Sequence, residues 1–117
     1  MSERLLVFGG RDFTDRAYVL KGLDELAQQY DIGFVMTGGQ TGTDTWGLVW
    51  ASRRHLPRKS YWVDHALDGP WPRAGANRNK RMFELGKPTL SACTVGGPGT
   101  ANMRAILNAA NIKVIDL

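Results

Sequence analysis

The feature that most constrains the fold of this chain is a repeated unit: a short, continuous apolar run that stops at glycine, followed by apolar residues at helical spacing. The run at 5–8 (LLVF) stops at a glycine pair, and the run at 34–36 (FVM) is followed, after one threonine, by Gly38 and Gly39. Continuous apolar runs are typical of strands that are buried on both faces of a sheet. The two runs therefore predict buried strands of a parallel sheet.

Apolar side chains between the runs recur at the spacing of an amphipathic helix. Val19, Leu23, Leu26 and Tyr30 lie at i, i+4, i+7 and i+11, a stripe that packs a helix onto a sheet. Similar patterns predict further helices and strands: a helix to about His55, a polar helix at 76–85, and strands at 61–63, 90–95 and 113–115. A last helix is predicted from its apolar stripe, which consists of Met103, Ile106, Leu107 and Ala110. An irregular stretch at 64–75 precedes the polar helix.

The predicted elements alternate along the chain as β-α-β-α-β-α-β-α-β. Such alternation predicts an α/β, Rossmann-like, doubly wound fold, in which a mainly parallel five-stranded sheet carries helices on both faces through right-handed crossovers. We expect one domain over residues 1–117, because a domain of this size buries roughly 65% of the surface of its unfolded chain.

The sequence carries no signal for export or membrane insertion. The first four residues, MSER, are not followed by a long apolar segment, and no apolar run approaches the roughly 20 residues of a membrane helix. Cys93 is the one cysteine and lies in an apolar run, so we expect it to be buried and unable to form an internal disulfide. These features predict a cytoplasmic protein without a membrane partner.

The positive charge of the chain is concentrated in one region. The net charge is +4, and eight of the fifteen Lys and Arg residues lie between Arg53 and Arg81, where only Asp64 and Asp68 oppose them. A local excess of positive charge favours an anionic partner. Charge alone does not distinguish a nucleotide from a nucleic acid or from an exposed basic surface.

Three glycine-rich turns stand where predicted strands give way to helices, at 9–11, 38–44 and 96–100. The carboxyl ends of parallel strands meet at one edge of a sheet, and open α/β sheets bind ligands where the strand order reverses. Glycine lets the backbone approach an oxygen anion, and N–H groups at a helix start donate hydrogen bonds to it. Each glycine alone can serve only a tight turn, but three such turns at one edge favour a phosphate site.

These turns differ from the common nucleotide-binding motifs. No Gly-Lys-Ser/Thr follows them, as it would in a P-loop, and none has the full G-x-G-x-x-G spacing of dinucleotide-binding folds. The sequence thus argues against a standard ATPase or dehydrogenase. His55 and His65 lack ligand spacing to a Cys or Glu cluster, so we expect neither a metal site nor a cofactor.

Besides Arg11 in the first glycine turn, two arginines and one aspartate are the charged candidates for the site. Helical spacing places Arg78 near Arg81, where the two guanidinium groups suit phosphate oxygens; the alternative is an exposed basic helix. Asp44 is a candidate to bind a ribose hydroxyl, to position water or to cap a helix. The predicted ligand-binding residues lie in the three turns and the polar helix: Gly9, Gly10, Arg11, Gly38, Gly39, Thr43, Asp44, Arg78, Arg81, Gly96, Gly97, Gly99 and Thr100.

Four segments in this order, 9–13 (GGRDF), 37–44 (TGGQTGTD), 78–82 (RNKRM) and 96–100 (GGPGT), resemble the YspA-like, cpYpsA-related branch of the SLOG superfamily. This Rossmann-like group includes the cytokinin-activating phosphoribohydrolases called LOG and the DNA-processing protein DprA. The resemblance implies a nucleotide, a nucleotide-derived ligand or a nucleic acid bound at the glycine edge of the sheet. Relatives often dimerise, so the resemblance also implies a homodimer as one arrangement of the chain.

The chain departs from the LOG pattern at its catalytic positions. LOG enzymes carry Pro-Gly-Gly-x-Gly-Thr-x-x-Glu, and their glutamate serves cleavage of the N-glycosidic bond of a nucleoside monophosphate. Here Val95 stands at the proline and Met103 at the glutamate. A methionine neither activates water nor stabilises an oxocarbenium-like transition state, so this chemistry transfers only if another carboxylate, such as Asp44, takes over.

The sequence thus leads to one main hypothesis and two alternatives. The main hypothesis is a nucleotide-derivative-binding domain that acts as a sensor or as a divergent hydrolase. The second is a single-stranded nucleic-acid-binding module, in which Trp62 and Trp71 would be stacking platforms beside the basic segment. The third is a structural or partner-binding role.

Overall fold

A computed structural model describes residues 2–117 as a parallel sheet flanked by helices. The strands are Glu3–Phe8 (β1), Ile32–Thr37 (β2), Arg58–Ser60 (β3), Leu90–Cys93 (β4) and Val114–Asp116 (β5). The helices are Arg16–Gln29 (α1), Thr43–Arg53 (α2), His65–Asp68 (α3), Ala74–Gly86 (α4) and Pro98–Ala109 (α5).

The sheet has the order β3-β2-β1-β4-β5, and all of its strand pairs are parallel. From β1 the chain first winds outward to β2 and β3, then returns to β4 on the other side of β1 and winds outward again. The order therefore reverses between β1 and β4, which pair over Leu5 to Phe8. This confirms the predicted Rossmann-like α/β fold and places the reversal at the first and third glycine turns.

The central strand divides the apolar core into two layers. Leu5 and Val7 point to one face, where they pack with residues of α1 and α2; Leu6 and Phe8 point to the other face, where they pack with residues of α4 and α5. Because both faces of β1 are covered, alternate residues have no reason to be polar. This explains the continuous apolar run at 5–8.

The third strand is the main correction to the sequence prediction. It was expected at 61–63, and that prediction was wrong, because β3 is formed by Arg58–Ser60 at the edge of the sheet. An edge strand tolerates exposed charged side chains, so its sequence lacks the apolar signal of the central strands. The Tyr61 N–H still donates to the carbonyl of Thr37 at 2.8 Å, after which the chain leaves the sheet.

The other differences concern the ends of elements. Helix α4 begins at Ala74, two residues before the predicted start, and the short helix α3 lies inside the stretch predicted to be irregular. Strand β4 ends at Cys93, since the next two residues already form the turn toward α5. Among residues 2–117, no helix is both long and apolar enough to cross a membrane.

Candidate functional site

Three adjoining cavities open at the carboxyl edge of the sheet, and Arg11 and Gln40 line all three. The central cavity, of about 260 Å³, lies among Gly9, Asp44, Arg78 and Gly99. The outer cavity, of about 510 Å³, lies among Gly10, Asp12, Phe13 and Gly97. The tryptophan cavity, of about 270 Å³, lies among Gly39, Trp62 and Trp71. The three glycine turns predicted to meet at one edge therefore surround a hollow made of adjoining cavities.

Glycines in the first and third turns play two different roles. Gly10 is packed: its N–H donates to the carbonyl of Val95 at 3.1 Å, and a Cβ at this position would lie 2.7 Å from that oxygen. Gly97 and Gly99 are open, because a Cβ at either position would meet nothing within 4 Å in the described part of the chain. Gly10 thus holds the turns together, whereas Gly97 and Gly99 leave the start of α5 accessible.

The first turn of α5 presents unpaired hydrogen-bond donors to this open space. Its N-cap is Gly97, its first residue is Pro98, and no side chain among residues 2–117 caps it. The N–H groups of Gly99 and Thr100 donate to no acceptor in residues 2–117, and both residues line the central and the outer cavity. Unpaired N–H groups at a helix start carry the positive end of the helix dipole and suit an anion.

Asp44 is buried at the floor of the second turn. Its Oδ2 accepts hydrogen bonds from the N–H groups of Gly38 at 3.0 Å and Gln40 at 3.3 Å. Its Oδ1 accepts no hydrogen bond from residues 2–117, and the residue lines the central cavity. Burial raises the pKa of Asp44 to about 6, against the opposing effects of the two N–H groups and of Arg78. The carboxylate therefore fixes the turn through one oxygen and offers the other to the cavity.

Arg78 reaches the central cavity from α4, but its guanidinium is largely engaged with backbone. Its Nη1 donates to the carbonyl of Gly38 and, at 3.1 Å, to that of Tyr61; its Nε donates to Oδ1 of Asn79 at 3.1 Å. Burial lowers the pKa of Arg78, and the nearby Asp44 opposes that effect. Arg78 thus joins the end of β2 to the residue that follows β3, and adds positive charge to the cavity wall.

The structure places Arg81 outside the three cavities. Its guanidinium holds the carboxylate of Asp68 and donates to the carbonyl of Trp62 at 2.9 Å. The bonds from Arg81 are the main reason that the pKa of Asp68 is lowered to about 2. Of the two arginines predicted to clamp phosphate together, the structure brings only Arg78 to the cavity.

Thr43 lies beneath the turns rather than in the cavities. Its Oγ1 shares a hydrogen bond of 2.6 Å with Oγ1 of Thr94, and both residues are buried. A Cβ at Gly9 would overlap the Thr94 hydroxyl, and a Cβ at Gly96 would overlap that of Thr100. Thr43, Gly9 and Gly96 therefore let the first, second and third turns pack closely.

Sequence reasoning did not include Asn79 and Gln40 among the site residues. The buried Asn79 donates through Nδ2 to the carbonyl of Gly99 at 3.2 Å and to Oδ1 of Asn102 at 3.0 Å, and so ties α4 to the start of α5. Both residues stand inside motifs that had been singled out, at 78–82 and 37–44. Their position in these motifs was the only indication in the sequence that they belong to the site, because the sequence does not show tertiary contacts.

The floor of the central cavity is apolar. Met82 and Met103, each 1% exposed, line it from α4 and α5 and belong to the second core layer. Met103 thus occupies the place where the LOG resemblance has a glutamate. Among residues 2–117, no three His, Cys, Asp or Glu side chains lie close enough to hold a metal ion.

Comparison with known proteins identifies the family of the chain. A family model described as "YspA, cpYpsA-related SLOG family" matches residues 3–67, more than half of the chain, and the matched part includes the first two glycine turns. The segments 78–82 and 96–100 lie beyond the matched residues, although the structure places both beside the same cavities. Comparison with curated proteins and with solved structures gave no match. The chain belongs to the YspA, cpYpsA-related SLOG family.

Proposed function

We propose that this protein binds a nucleotide or a nucleotide-derived phosphate ligand at the glycine edge of its sheet, as a sensor or as a divergent nucleotide-processing protein. One observation carries the proposal: Gly99 and Thr100, whose N–H groups are unpaired within residues 2–117, line two adjoining cavities at the point where the strand order reverses. Such a point is where open α/β sheets bind ligands, and such a helix start suits a phosphate. Membership of the SLOG family is consistent with this proposal.

The charges around the hollow support an anionic ligand. Arg11 is exposed, lines all three cavities and makes no ion pair within residues 2–117. Arg78 adds a second positive charge, and Asp44 is the one carboxylate among the residues that line the central cavity. In this proposal the phosphate lies against α5 and Arg11, because these donors are free, whereas the hydrogen bonds of Arg78 go to the protein.

Turnover, in this proposal, depends on Asp44. The central cavity has Met103 where a LOG enzyme has its glutamate, so Asp44 is the only carboxylate there that can accept or donate a proton. Its free Oδ1 and its raised pKa of about 6 suit this role near neutral pH. A protein that only senses its ligand would leave the bound ligand chemically unchanged. Its response to the ligand would then survive the substitution Asp44→Asn.

The first test is a thermal-shift screen followed by calorimetry. The probes are ribose 5-phosphate, nucleoside mono-, di- and triphosphates, ADP-ribose and cyclic nucleotides, each with and without magnesium. A ligand at about 100 times its dissociation constant stabilises the folded state by roughly 2.7 kcal/mol, which is a clear shift for a chain of this size.

Gly99→Ala is the first variant to test, because outside its chain neighbours and its own helix backbone the added methyl group meets nothing within 4 Å in the described part of the chain. We expect the fold to be retained and the phosphate ligand to be lost. Asn108→Ala, at the exposed far end of the same helix, is the matched control and should bind normally. Unchanged affinity in Gly99→Ala would remove the start of α5 from the site.

A single-stranded nucleic acid is the second candidate ligand, favoured by the exposed rings of Trp62 and Trp71 beside the basic residues. This alternative predicts that a short oligonucleotide shifts the melting temperature at low salt and that its affinity falls steeply as salt is added. A rise in melting temperature with mononucleotides that changes little with salt would instead favour a small nucleotide ligand.

A further inference from the structure

We infer that the tryptophan cavity is the subsite for an aromatic base, so that the ligand is a nucleoside phosphate whose base lies between Trp62 and Trp71. This inference rests on the proposed function, because it assumes that the phosphate lies at the start of α5. It adds a second recognition element in a cavity that adjoins the one at the start of α5.

Two exposed indole rings line one cavity. Trp62 is 67% exposed and Trp71 is 58% exposed, and both line the tryptophan cavity. Trp50, by contrast, is 2% exposed and belongs to the first core layer. An exposed pair of large aromatic rings adds little to the stability of the fold, but it offers two faces on which a base can stack.

The structure holds both rings in place before any ligand binds. The Trp62 indole lies against the backbone of Gly39, where a Cβ would overlap the ring, and Gly39 has a φ of +73° that suits glycine. The Trp62 carbonyl accepts a hydrogen bond from Arg81, which is itself fixed by Asp68. The Trp71 ring packs edge-on against His65, with the ring centroids 5.5 Å apart. Rings fixed in this way lose little freedom when a base stacks on them.

Polar groups at the same cavity suit the edge of a base. The Gln40 side chain lines the cavity and makes no hydrogen bond within residues 2–117. A carboxamide offers one acceptor and two donors, the combination with which Asn and Gln recognise adenine in nucleic-acid complexes. Thr41 lies beside it, with its hydroxyl donating to the carbonyl of Arg11 at 3.0 Å.

The tryptophan cavity and the central cavity adjoin each other. Arg11, Gly38, Gln40, Trp71 and Arg78 line both of them. Each cavity alone, at about 270 and 260 Å³, is smaller than a typical ligand pocket of roughly 300–1,000 Å³, whereas the two together fall within that range. One ligand can therefore place its base in the first and its sugar and phosphate in the second.

The test compares ligands with and without a base. The four nucleoside 5′-monophosphates and ribose 5-phosphate are titrated calorimetrically into the wild-type chain and into Trp62→Ala and Trp71→Ala. We expect at least one monophosphate to bind roughly 5- to 150-fold more tightly than ribose 5-phosphate, as stacking on an aromatic ring predicts. Either Trp variant should remove most of that advantage. Trp62→Ala should leave the affinity for ribose 5-phosphate unchanged, because Trp62 lines the tryptophan cavity and not the central one.

Two further variants separate stacking from a general loss of packing. Trp71→Phe keeps an aromatic face and should restore most of the advantage that Trp71→Ala loses. Leu85→Ala removes another exposed apolar side chain, 62% exposed on α4, and should change neither affinity. A bound base should also quench tryptophan fluorescence in the wild type and less in the two Trp variants.

The outcomes distinguish this inference from the proposed function. If ribose 5-phosphate binds as tightly as every monophosphate, or if both Trp variants bind all monophosphates normally, the base subsite is overturned and the phosphate site stands. If no phosphate ligand binds, the proposed function fails and the inference fails with it. If the Trp residues matter only for an oligonucleotide, with steep salt dependence, the cavity belongs to a nucleic-acid strand and the inference is overturned.

Discussion

Arg81 binds the carboxylate of Asp68 through two hydrogen bonds, from Nε to Oδ1 at 2.9 Å and from Nη2 to Oδ2 at 2.8 Å. The same Nη2 donates to the carbonyl of Trp62. A bidentate arginine–carboxylate interaction of this kind is strong and directional. Arg81 thus anchors the segment that follows β3, including Trp62 and α3, to helix α4.

Arg81→Ala should lower the free energy of unfolding by about 2–3 kcal/mol, because it leaves the buried Asp68 carboxylate without its main partner. Urea denaturation at pH 7 measures this change. Lys80→Ala, at the exposed neighbouring position, is the control and should change the free energy of unfolding by less than about 0.5 kcal/mol. Equal stability of the two variants would show that the anchor contributes nothing.

Asp44→Asn should change how stability depends on pH. The folded pKa of Asp44, about 6, lies above its ordinary value of 3.8, so between those values the unfolded chain loses a proton that the folded chain retains. The wild-type protein should therefore lose stability as the pH rises from about 4 to 6, by up to about 3 kcal/mol at about 1.4 kcal/mol per pKa unit.

The Asp44→Asn variant has no carboxyl group that titrates at this position. Its free energy of unfolding should therefore not fall for this reason between about pH 4 and 6. Urea midpoints measured from pH 4 to 7 for both proteins give the comparison, and the difference between the two curves isolates Asp44 from the histidines. Parallel curves would contradict the assignment of a raised pKa to this carboxyl group.

Gly10→Ala and Gly97→Ala form a matched pair of substitutions with different expected effects. The methyl group at 10 would lie 2.7 Å from the carbonyl oxygen of Val95, so the variant should be destabilised by about 1–3 kcal/mol. The methyl group at 97 meets nothing within 4 Å and the backbone there is extended, but alanine is a poorer N-cap than glycine, so the stability of Gly97→Ala should change by less than about 1 kcal/mol. Melting temperatures of the two variants check both values.

Arg11→Ala should weaken the binding of phosphate ligands without changing the fold. Arg11 makes no ion pair within residues 2–117, so its loss breaks nothing in the free protein, whereas a charge-assisted hydrogen bond to phosphate is worth about 1.5–3 kcal/mol. Calorimetry should show a roughly 10- to 150-fold rise in the dissociation constant. A variant with wild-type affinity would place the phosphate away from Arg11.

The central part of the fold could be predicted from the sequence because burial there leaves a clear pattern. The continuous run at 5–8 and the stripe from Val19 to Tyr30 follow directly from a strand covered on both faces and a helix covered on one. Strand β3 could not be placed, since Arg58 and Lys59 are exposed at the edge and carry no such pattern. Of the apolar residues that follow it, Tyr61 packs in the core whereas Trp62 is exposed.

The sequence predicted the sheet edge that carries the candidate site, but not the side-chain contacts within it. The glycine turns indicated which edge of the sheet is open, because the carboxyl ends of parallel strands must meet there. The partners of Arg78 and Arg81 from outside α4 are three carbonyls and a carboxylate, and such contacts depend on the tertiary structure. Helical spacing alone made the two arginines look equivalent, although only Arg78 lines the central cavity.

The two methionine side chains beneath the central cavity affect how the site can discriminate between ligands. Met82 and Met103 have unbranched thioether side chains, which change shape at little cost and fill irregular gaps. A deformable cavity floor of this kind can accommodate ligands of different shapes. If the protein binds a ligand as proposed, selectivity then comes from the start of α5, the Asp44 turn and the anchored tryptophans rather than from the core beneath them.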